Sequence, residues 1–213
     1  KAKILCPFNY YPISVFFTDK DNLDRKKIIS AYNTLKNSPS PMSEKDRNIQ
    51  LARVSGIAEN KPEEIGKFLK KNSHLIKNSI IFCAEWEPQA RLVCEELMKY
   101  TTKFIKMNSS KKAEQKKAIA DLGTELDCIV TCHSLSEGID IKTLENVFLI
   151  ASYRSPLETI QRIGRCIRTD PSNPNKIANV IDCVVHGSDG KLLNADAVRS
   201  EWIEEVAKVR PDG

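Results

Sequence analysis

Residues 158–168, ETIQRIGRCIR, combine glutamine and arginine in a pattern that can bind phosphate. At about 100° per residue, Gln161, Arg165 and Arg168 fall within one narrow stripe of a helix. Isoleucines at positions 160, 163 and 167 form a second stripe that can anchor the helix in an apolar core. Guanidinium groups are planar and permanently charged, and they suit multidentate phosphate binding. The pattern therefore favours a phosphate-binding face over the more common alternative, a solvated arginine-rich helix.

Residues 131–140, TCHSLSEGID, form a second segment whose residue types can contact a nucleotide. Thr131 ends an apolar run, and its hydroxyl together with nearby backbone N–H groups can bind a phosphate. Gly138 permits a backbone conformation closed to other residues, and Asp140 can accept hydrogen bonds from a ribose hydroxyl. The alternative is an ordinary turn in which Gly138 supplies the bend, and the residue types taken alone favour that alternative.

Short apolar runs alternate with amphipathic segments from residue 79 onward, which predicts an α/β fold with a parallel sheet flanked by helices. The predicted strands cover residues 79–83, 103–107, 127–132, 146–150 and 177–183, and the predicted helices cover residues 88–99, 111–122 and 156–168. In such a sheet ligands gather beyond the carboxyl ends of the strands. Small, hydroxylic or charged residues follow the first four runs, so we expect a site at this edge, although strand-to-helix loops are generally polar.

The first 75 residues have a different pattern, with one apolar run at 11–17 and lysine-rich helical segments at 24–35, 43–57 and 63–71. Residues 195–209 are amphipathic and predict a final helix. We therefore expect three parts. Residues 1–75 are a connector strand with a helical extension, residues 76–190 are the α/β domain, and residues 191–213 are a helix that packs on this domain.

Composition limits the classes of protein that fit. The 213 residues are 41% hydrophobic and 29% charged, which is enough to bury one substantial core or two small ones. No apolar run approaches the roughly 18 residues that span a bilayer, and the first residues lack the pattern of a secretory signal. We expect a soluble cytoplasmic protein. The net charge of +5 permits a polyanionic partner without establishing one.

The seven cysteines are an odd number, scattered through apolar segments, which indicates reduced thiols and no disulfide framework. Cys128, Cys132 and His133 are close in the sequence, but no second pair has the spacing of metal ligands. We therefore expect no metal site within these residues.

Three segments together resemble the motifs of the second RecA-like domain of superfamily 2 helicases and translocases. SIIFCAEWEPQARLVCEEL at 79–97 resembles motif IV with its following helix, CIVTCHSLSEGIDI at 128–141 resembles motif V, and QRIGRCIR at 161–168 resembles motif VI, in matching order and spacing. The stretch CPFNYYPISVFF at 6–17 is similar to the connector of DNA-directed members. The resemblance covers about residues 79–184, and it implies a RecA-like open parallel sheet.

The resemblance implies an ATP-driven motor in which two such domains close over a nucleotide and move a nucleic-acid strand. Arg165 and Arg168 would be arginine fingers that reach the γ-phosphate and stabilise the charge that develops on it. Such fingers raise the rate by roughly 10³ to 10⁵ in known cases. Gln161 would orient the γ-phosphate or the attacking water, while Gly138 and Asp140 would border the ribose.

Strand contacts follow from the same resemblance and from positive charge. The resemblance implies that Thr131 contacts a backbone phosphate. Apart from the resemblance, Lys111 and Lys112 belong to a cluster that can bind phosphate by its positive charge, with lysines at 103, 106, 116 and 117. A solvated lysine face explains this cluster equally well. Gln161 stands where many RNA helicases have histidine, and EGID replaces their RGID, so DNA is favoured over RNA.

Two elements of a complete ATPase are missing from the sequence. No glycine opens a GxxxxGK[ST] loop, and no Asp-Glu pair follows a strand in the position that holds magnesium. We therefore expect ATP and Mg²⁺ to be held mainly by an N-terminal RecA-like domain of the same protein, with this chain inactive by itself. A non-catalytic nucleic-acid-binding adaptor is the alternative function. An unrelated Rossmann-like domain is less favoured because GxGxxG is absent.

Overall fold

The computed structural model describes residues 6–107, 111–132, 144–151, 159, 163–164, 168–187 and 189–208. The strands are β1 (Phe8–Phe16), β2 (Ser79–Phe82), β3 (Phe104–Met107), β4 (Cys128–Thr131), β5 (Asn146–Leu149) and β6 (Ala178–His186). The helices of this part are α1 (Asp19–Leu35), α2 (Glu44–Gly56), α3 (Lys61–Asn72), α4 (Arg91–Leu97), α5 (Lys112–Asp121) and α6 (Asn194–Lys208), with short helical turns at Ser73–Ile76 and Trp86–Ala90.

The six strands form a single parallel sheet in the order β1-β6-β5-β2-β4-β3. The predicted open parallel α/β fold is confirmed, and the five strands predicted between residues 79 and 183 are all present. Among the described residues no helix is both long and apolar enough to cross a membrane.

Side chains of the central strands alternate between two apolar clusters, one on each face of the sheet. On β2 and the residue after it, Ile81 and Cys83 belong to one cluster, while Ile80 and Phe82 belong to the other. Because both faces are covered, these strands are continuously apolar in sequence. Helices α3 and α4 cover the first face through Ile65, Leu69, Val93 and Leu97, while Ala118 of α5, Ile163 and Ile203 of α6 belong to the second cluster.

Strand β1 is the edge of the sheet and pairs with β6 alone among the described strands. This position explains how Pro12, which has no N–H to donate, fits within a nine-residue strand. The apolar run had predicted a shorter strand at 11–17. Strand β1 therefore belongs to the same sheet as the strands after residue 75. The domain boundary predicted at residue 75 stays a prediction.

Helix α1 begins five residues before its predicted start at Asp24. Thr18 caps the helix, because its hydroxyl accepts the N–H of Asp21 (3.1 Å) while Asp21 Oδ2 accepts the N–H of Thr18 (3.0 Å). This reciprocal arrangement satisfies two backbone donors that a helix start leaves free. The acidic residues of the first turn also suit the positive end of the helix dipole.

Helix α4 begins at Arg91, three residues after its predicted start at Pro88. Glu87 has extended backbone angles (φ −123°, ψ 130°) inside the turn Trp86–Ala90. A residue before proline is disfavoured in the helical region, so a regular helix cannot run through this position.

A buried ionic cluster holds α6 against β6. Arg199 donates from Nε and Nη2 to the two oxygens of Asp182 (3.0 Å each) and from Nη1 to Asp196 Oδ1 (2.7 Å). Asp196 Oδ2 accepts the N–H of Val185 (2.7 Å), and the Tyr10 hydroxyl donates to Asp182 Oδ2 (3.0 Å). Burial by itself lowers the pKa of Arg199, but the charges of Asp182 and Asp196 outweigh it and raise that pKa. The cluster joins β1, β6 and α6.

Replacing Arg199 by leucine removes the cation and leaves the fully buried Asp182 carboxylate without its charged partner. We expect the free energy of unfolding to fall by about 3–5 kcal/mol, measured by urea denaturation followed by circular dichroism. The matched control is Glu205→Gln, an exposed charge on the same helix, which should change stability by less than about 0.5 kcal/mol. A loss for Arg199→Leu no larger than that of the control would contradict the assigned role.

Candidate functional site

The carboxyl ends of β2, β4 and β5 lie side by side at one edge of the sheet. The oxygen of Phe82 accepts the N–H groups of Ile150 (3.0 Å) and Ala151 (3.1 Å), and the oxygen of Thr131 accepts the N–H of Cys83 (2.9 Å). Three segments with candidate chemistry follow these strands in the sequence. The fold therefore brings together the ends of the three strands that precede these segments, as predicted from the alternating pattern.

Thr131 lies at this edge and is buried, with 2% of its surface exposed. Its hydroxyl donates a long hydrogen bond to the oxygen of Met107 on the neighbouring strand β3 (3.3 Å). A phosphate contact by this hydroxyl requires the bond to Met107 to break. The phosphate-binding role of Thr131 stays a prediction.

The lysine cluster lies on β3, next to it and on α5, and all six of its lysines are exposed. Lys111 pairs with Glu114 one turn further on (3.2 Å), with both side chains more than half exposed. Lys112 is the first residue of α5. Exposed ion pairs of this kind contribute little to stability, so a phosphate can compete for Lys111 at small cost.

Ile163 is the anchor predicted for the helix that carries the arginines, and it is 2% exposed within the second apolar cluster. Ile163 and Gly164 are helical, and a Cβ built on Gly164 would meet no described atom within 4 Å. Ile163 therefore fixes this position to the core, and no described atom lies close to Gly164 on its Cβ side.

Arg168 is exposed, so its side chain is not turned into the core of its own domain. It forms an isolated β-bridge, and its carbonyl accepts from Lys176 Nζ (3.0 Å). The predicted helix 156–168 is therefore wrong at its last residue. Because Arg168 lies outside the helix, helical spacing alone does not place it beside Gln161 and Arg165.

Gln161, Arg165, Gly138 and Asp140 lie outside the residues that the structure describes. Their roles at the γ-phosphate and at the ribose stay predictions. The structure describes the strands that precede them in the sequence. Strand β4 leads to the segment with Gly138 and Asp140, and β5 leads toward the segment with Gln161 and Arg165, in which Ile163 is buried.

Lys61 and Gln89 are two buried polar side chains near this edge that sequence reasoning missed. Lys61 Nζ donates to the oxygens of Ile150 (2.6 Å) and Gly56 (3.2 Å). Gln89 Nε2 donates to the same Gly56 oxygen (2.7 Å), and Gln89 Oε1 accepts the N–H of Ala84 (2.6 Å). These four bonds tie the end of α2 and the start of α3 to the residues that follow β2 and β5.

The environment of Lys61 is unusual for a lysine. Burial lowers its pKa, and its two acceptors are backbone carbonyls with no formal charge. In the sequence Lys61 precedes Pro62 in a charged segment, which is typical of an exposed first turn of a helix. The local sequence does not predict its burial, because the closer of its two acceptors, the Ile150 carbonyl, lies 89 residues away in the sequence.

Two solved structures share this fold. T4 UvsW superimposes with a TM-score of 0.51 and 14% identity, over 94% of this chain and 39% of the UvsW chain. The C-terminal part of the Fun30 ATPase domain superimposes with a TM-score of 0.62 and 12% identity, over 96% of this chain and 97% of that chain. No curated protein sequence matches the chain. The fold is that of a RecA-like α/β domain.

The family follows from a sequence match. The model of the helicase conserved C-terminal domain matches residues 60–170, slightly more than half of the chain, and the chain belongs to this family. It is a helicase conserved C-terminal domain with a RecA-like α/β fold. The chain spans only 39% of the length of UvsW.

Buried cysteines lie on the strands that lead to this edge or directly after them. Burial raises the pKa of Cys128, Cys132 and Cys183 to about 12, and it raises the pKa of Cys83 well above its ordinary value. The six cysteines within the described ranges are all buried and free of disulfides, in agreement with the predicted reduced state. A thiol with so high a pKa is a poor nucleophile at neutral pH.

Cys128, Cys132 and Cys183 should resist alkylation in the native protein. At pH 8 roughly one in four ordinary thiols is ionised, but only about one in 10⁴ is ionised when the pKa is 12. Peptide mass mapping after iodoacetamide treatment should show these three residues unlabelled in the native protein and labelled in urea. Native labelling at the rate seen in urea would show that these thiols are accessible.

Proposed function

We propose that the chain is the C-terminal motor domain of an ATP-dependent helicase or translocase acting on nucleic acid, with DNA favoured over RNA. It supplies arginine fingers and strand contacts to an ATPase site that an N-terminal RecA-like domain of the same protein completes. The observation that supports this proposal is the side-by-side position of the ends of β2, β4 and β5, which precede the three motif segments in the sequence of a chain of the helicase C-terminal family.

Arg165 and Arg168 are the groups that act on the transferring phosphate in this proposal. A guanidinium aimed at the γ-phosphate stabilises charge that exists only as the bond to the leaving group breaks. Buried Ile163 supports such a role for Arg165, because an arginine two residues from a packed helical position needs little reorganisation. The exposure of Arg168 is consistent with reaching a partner domain.

ATP and Mg²⁺ fit this chain only in part. Within the described ranges no group of three His, Cys, Asp or Glu residues could hold a metal ion, and the sequence contains no phosphate-cradling loop. Bound Mg²⁺ would neutralise phosphate charge during transfer. The residues proposed here bind the transferring phosphate and border the ribose, and they leave the metal to the N-terminal domain.

Strand binding is proposed for the exposed lysines of β3 and α5. They lie beside β4, whose end carries Thr131, so phosphate contacts would extend from the middle of the edge to its β3 side. The preference for DNA rests on Gln161 and the EGID sequence at 137–140.

In the full-length protein, Arg165→Ala and Arg168→Ala should each reduce nucleic-acid-stimulated ATP hydrolysis by about 10³-fold or more. The reason is the loss of transition-state charge stabilisation, so strand binding and thermal unfolding should stay close to wild type. The matched control is Arg53→Ala, an exposed arginine on α2, which should retain turnover. Near-wild-type hydrolysis in both finger variants would remove the proposed mechanism.

The chain by itself should bind a DNA oligonucleotide weakly, with an affinity that falls steeply as salt rises from 50 to 200 mM. Fluorescence anisotropy should show that Lys111→Gln with Lys112→Gln lowers the slope of log affinity against log salt by about two. Lys67→Gln on α3 serves as the control for loss of an exposed lysine. An affinity indifferent to salt would exclude phosphate contacts, and RNA bound as tightly as DNA would remove the preference.

A further inference from the structure

A second candidate site lies at the same edge of the sheet, beyond the ends of β1 and β6. It is a cleft of about 690 Å³ between the α1–α2 pair and residues 189–193. Its wall includes Arg25, Ser55, Asp189 and Lys191 together with Leu51 and Leu193. This volume falls within the range of small-ligand sites, and the mixture of charged and apolar side chains is typical of them.

Arg25 is the most unusual residue of this cleft. Its guanidinium lies over the ring of Phe17, with the carbon Cζ 4.9 Å from the ring centre. Nε is covered and has no hydrogen-bond partner, and among the described residues the guanidinium has no acceptor at all. Burial lowers the pKa of Arg25, while the charge of Asp189 raises it. An arginine whose guanidinium lies over a ring and has no acceptor among the described residues can receive an anion.

The three charged groups of the cleft, Arg25, Lys191 and Asp189, have a net charge of +1. Asp189 accepts the N–H of Lys191 (3.1 Å) and lies close enough to influence Arg25 without forming an ion pair with it. The Lys191 ammonium has no acceptor within the described part of the chain. Two cations thus face the cleft together with one carboxylate that is engaged by a backbone donor.

The size and position of the cleft limit the class of ligand that it can bind. The cleft is several times larger than an isolated ion needs, and its leucine wall suits an apolar or planar group attached to the anion. Three strands separate β1 from β4 in the sheet, so the ends of β1 and β4 are about 19 Å apart at the usual spacing of neighbouring strands. A phosphate joined to a flat, weakly polar group is the chemistry of a nucleotide.

We propose that this cleft binds one nucleotide unit, with its phosphate on Arg25 and Lys191. The unit is either a free mononucleotide or a residue within a nucleic-acid strand. Arg25 and Lys191 belong to none of the three motif segments, and binding is measured without ATP turnover. Nucleotide binding by this cleft can therefore be tested independently of the motor function.

The test compares Arg25→Gln with Lys26→Gln, which removes the same charge from the neighbouring position of α1. The probes are AMP, followed by calorimetry, and a 12-nucleotide DNA strand, followed by anisotropy. Arg25→Gln should weaken binding of at least one probe by about tenfold relative to Lys26→Gln. Arg25→Lys keeps the charge without the planar fork, so it should show an intermediate loss, and thermal unfolding confirms the fold of each variant.

Asp189→Asn supplies a change of opposite sign. Removing its carboxylate from the cleft should tighten binding of the same probe by about threefold. A loss confined to AMP identifies a free nucleotide, and a loss with the DNA strand identifies a residue of nucleic acid. Equal binding of both probes by Arg25→Gln and Lys26→Gln overturns the proposal. Weaker binding by Asp189→Asn also overturns the proposal, because it would mean that Asp189 and Arg25 only hold each other in position.

Discussion

All six strands run in the same direction, and this constraint decides where every candidate functional residue can lie. Parallel strands place their carboxyl ends at one edge, so residues far apart in the sequence become neighbours there. The bonds from Ile150 and Ala151 to the oxygen of Phe82 show how close the segments come. The same constraint places the Arg25 cleft and the ends of β2, β4 and β5 at one edge of the sheet.

Much of the sheet could be predicted because its strands are buried on both faces and therefore appear as uninterrupted apolar runs. The errors occur where polar residues serve local or distant partners. Helix α1 starts earlier because Thr18 and Asp21 cap each other. Asp182 is fully buried inside β6 because Arg199 of α6 pairs with it. The strand propensity of aspartate does not show that Asp182 is paired with Arg199, 17 residues later in the sequence.

The alternating pattern predicted that the ends of β2, β4 and β5 lie side by side, and Ile163 is buried as its helical spacing required. The buried polar side chains near this edge could not be predicted. The roles of Lys61 and Gln89 depend on carbonyls of Gly56 and Ile150, which become neighbours only in the folded chain. Arg168 was predicted wrongly for a different reason. The predicted helix was extended to residue 168, whereas Arg168 forms an isolated β-bridge.

The cluster around Asp182 has a consequence for dissecting this molecule into smaller pieces. The family match covers residues 60–170, whereas Tyr10, Asp182 and Arg199 all fall outside it. A polypeptide trimmed to the matched block would lack β1, β6 and α6, and β5 would become a bare apolar margin prone to self-association. The smallest autonomous folding unit is therefore considerably longer than the segment by which the family is recognised.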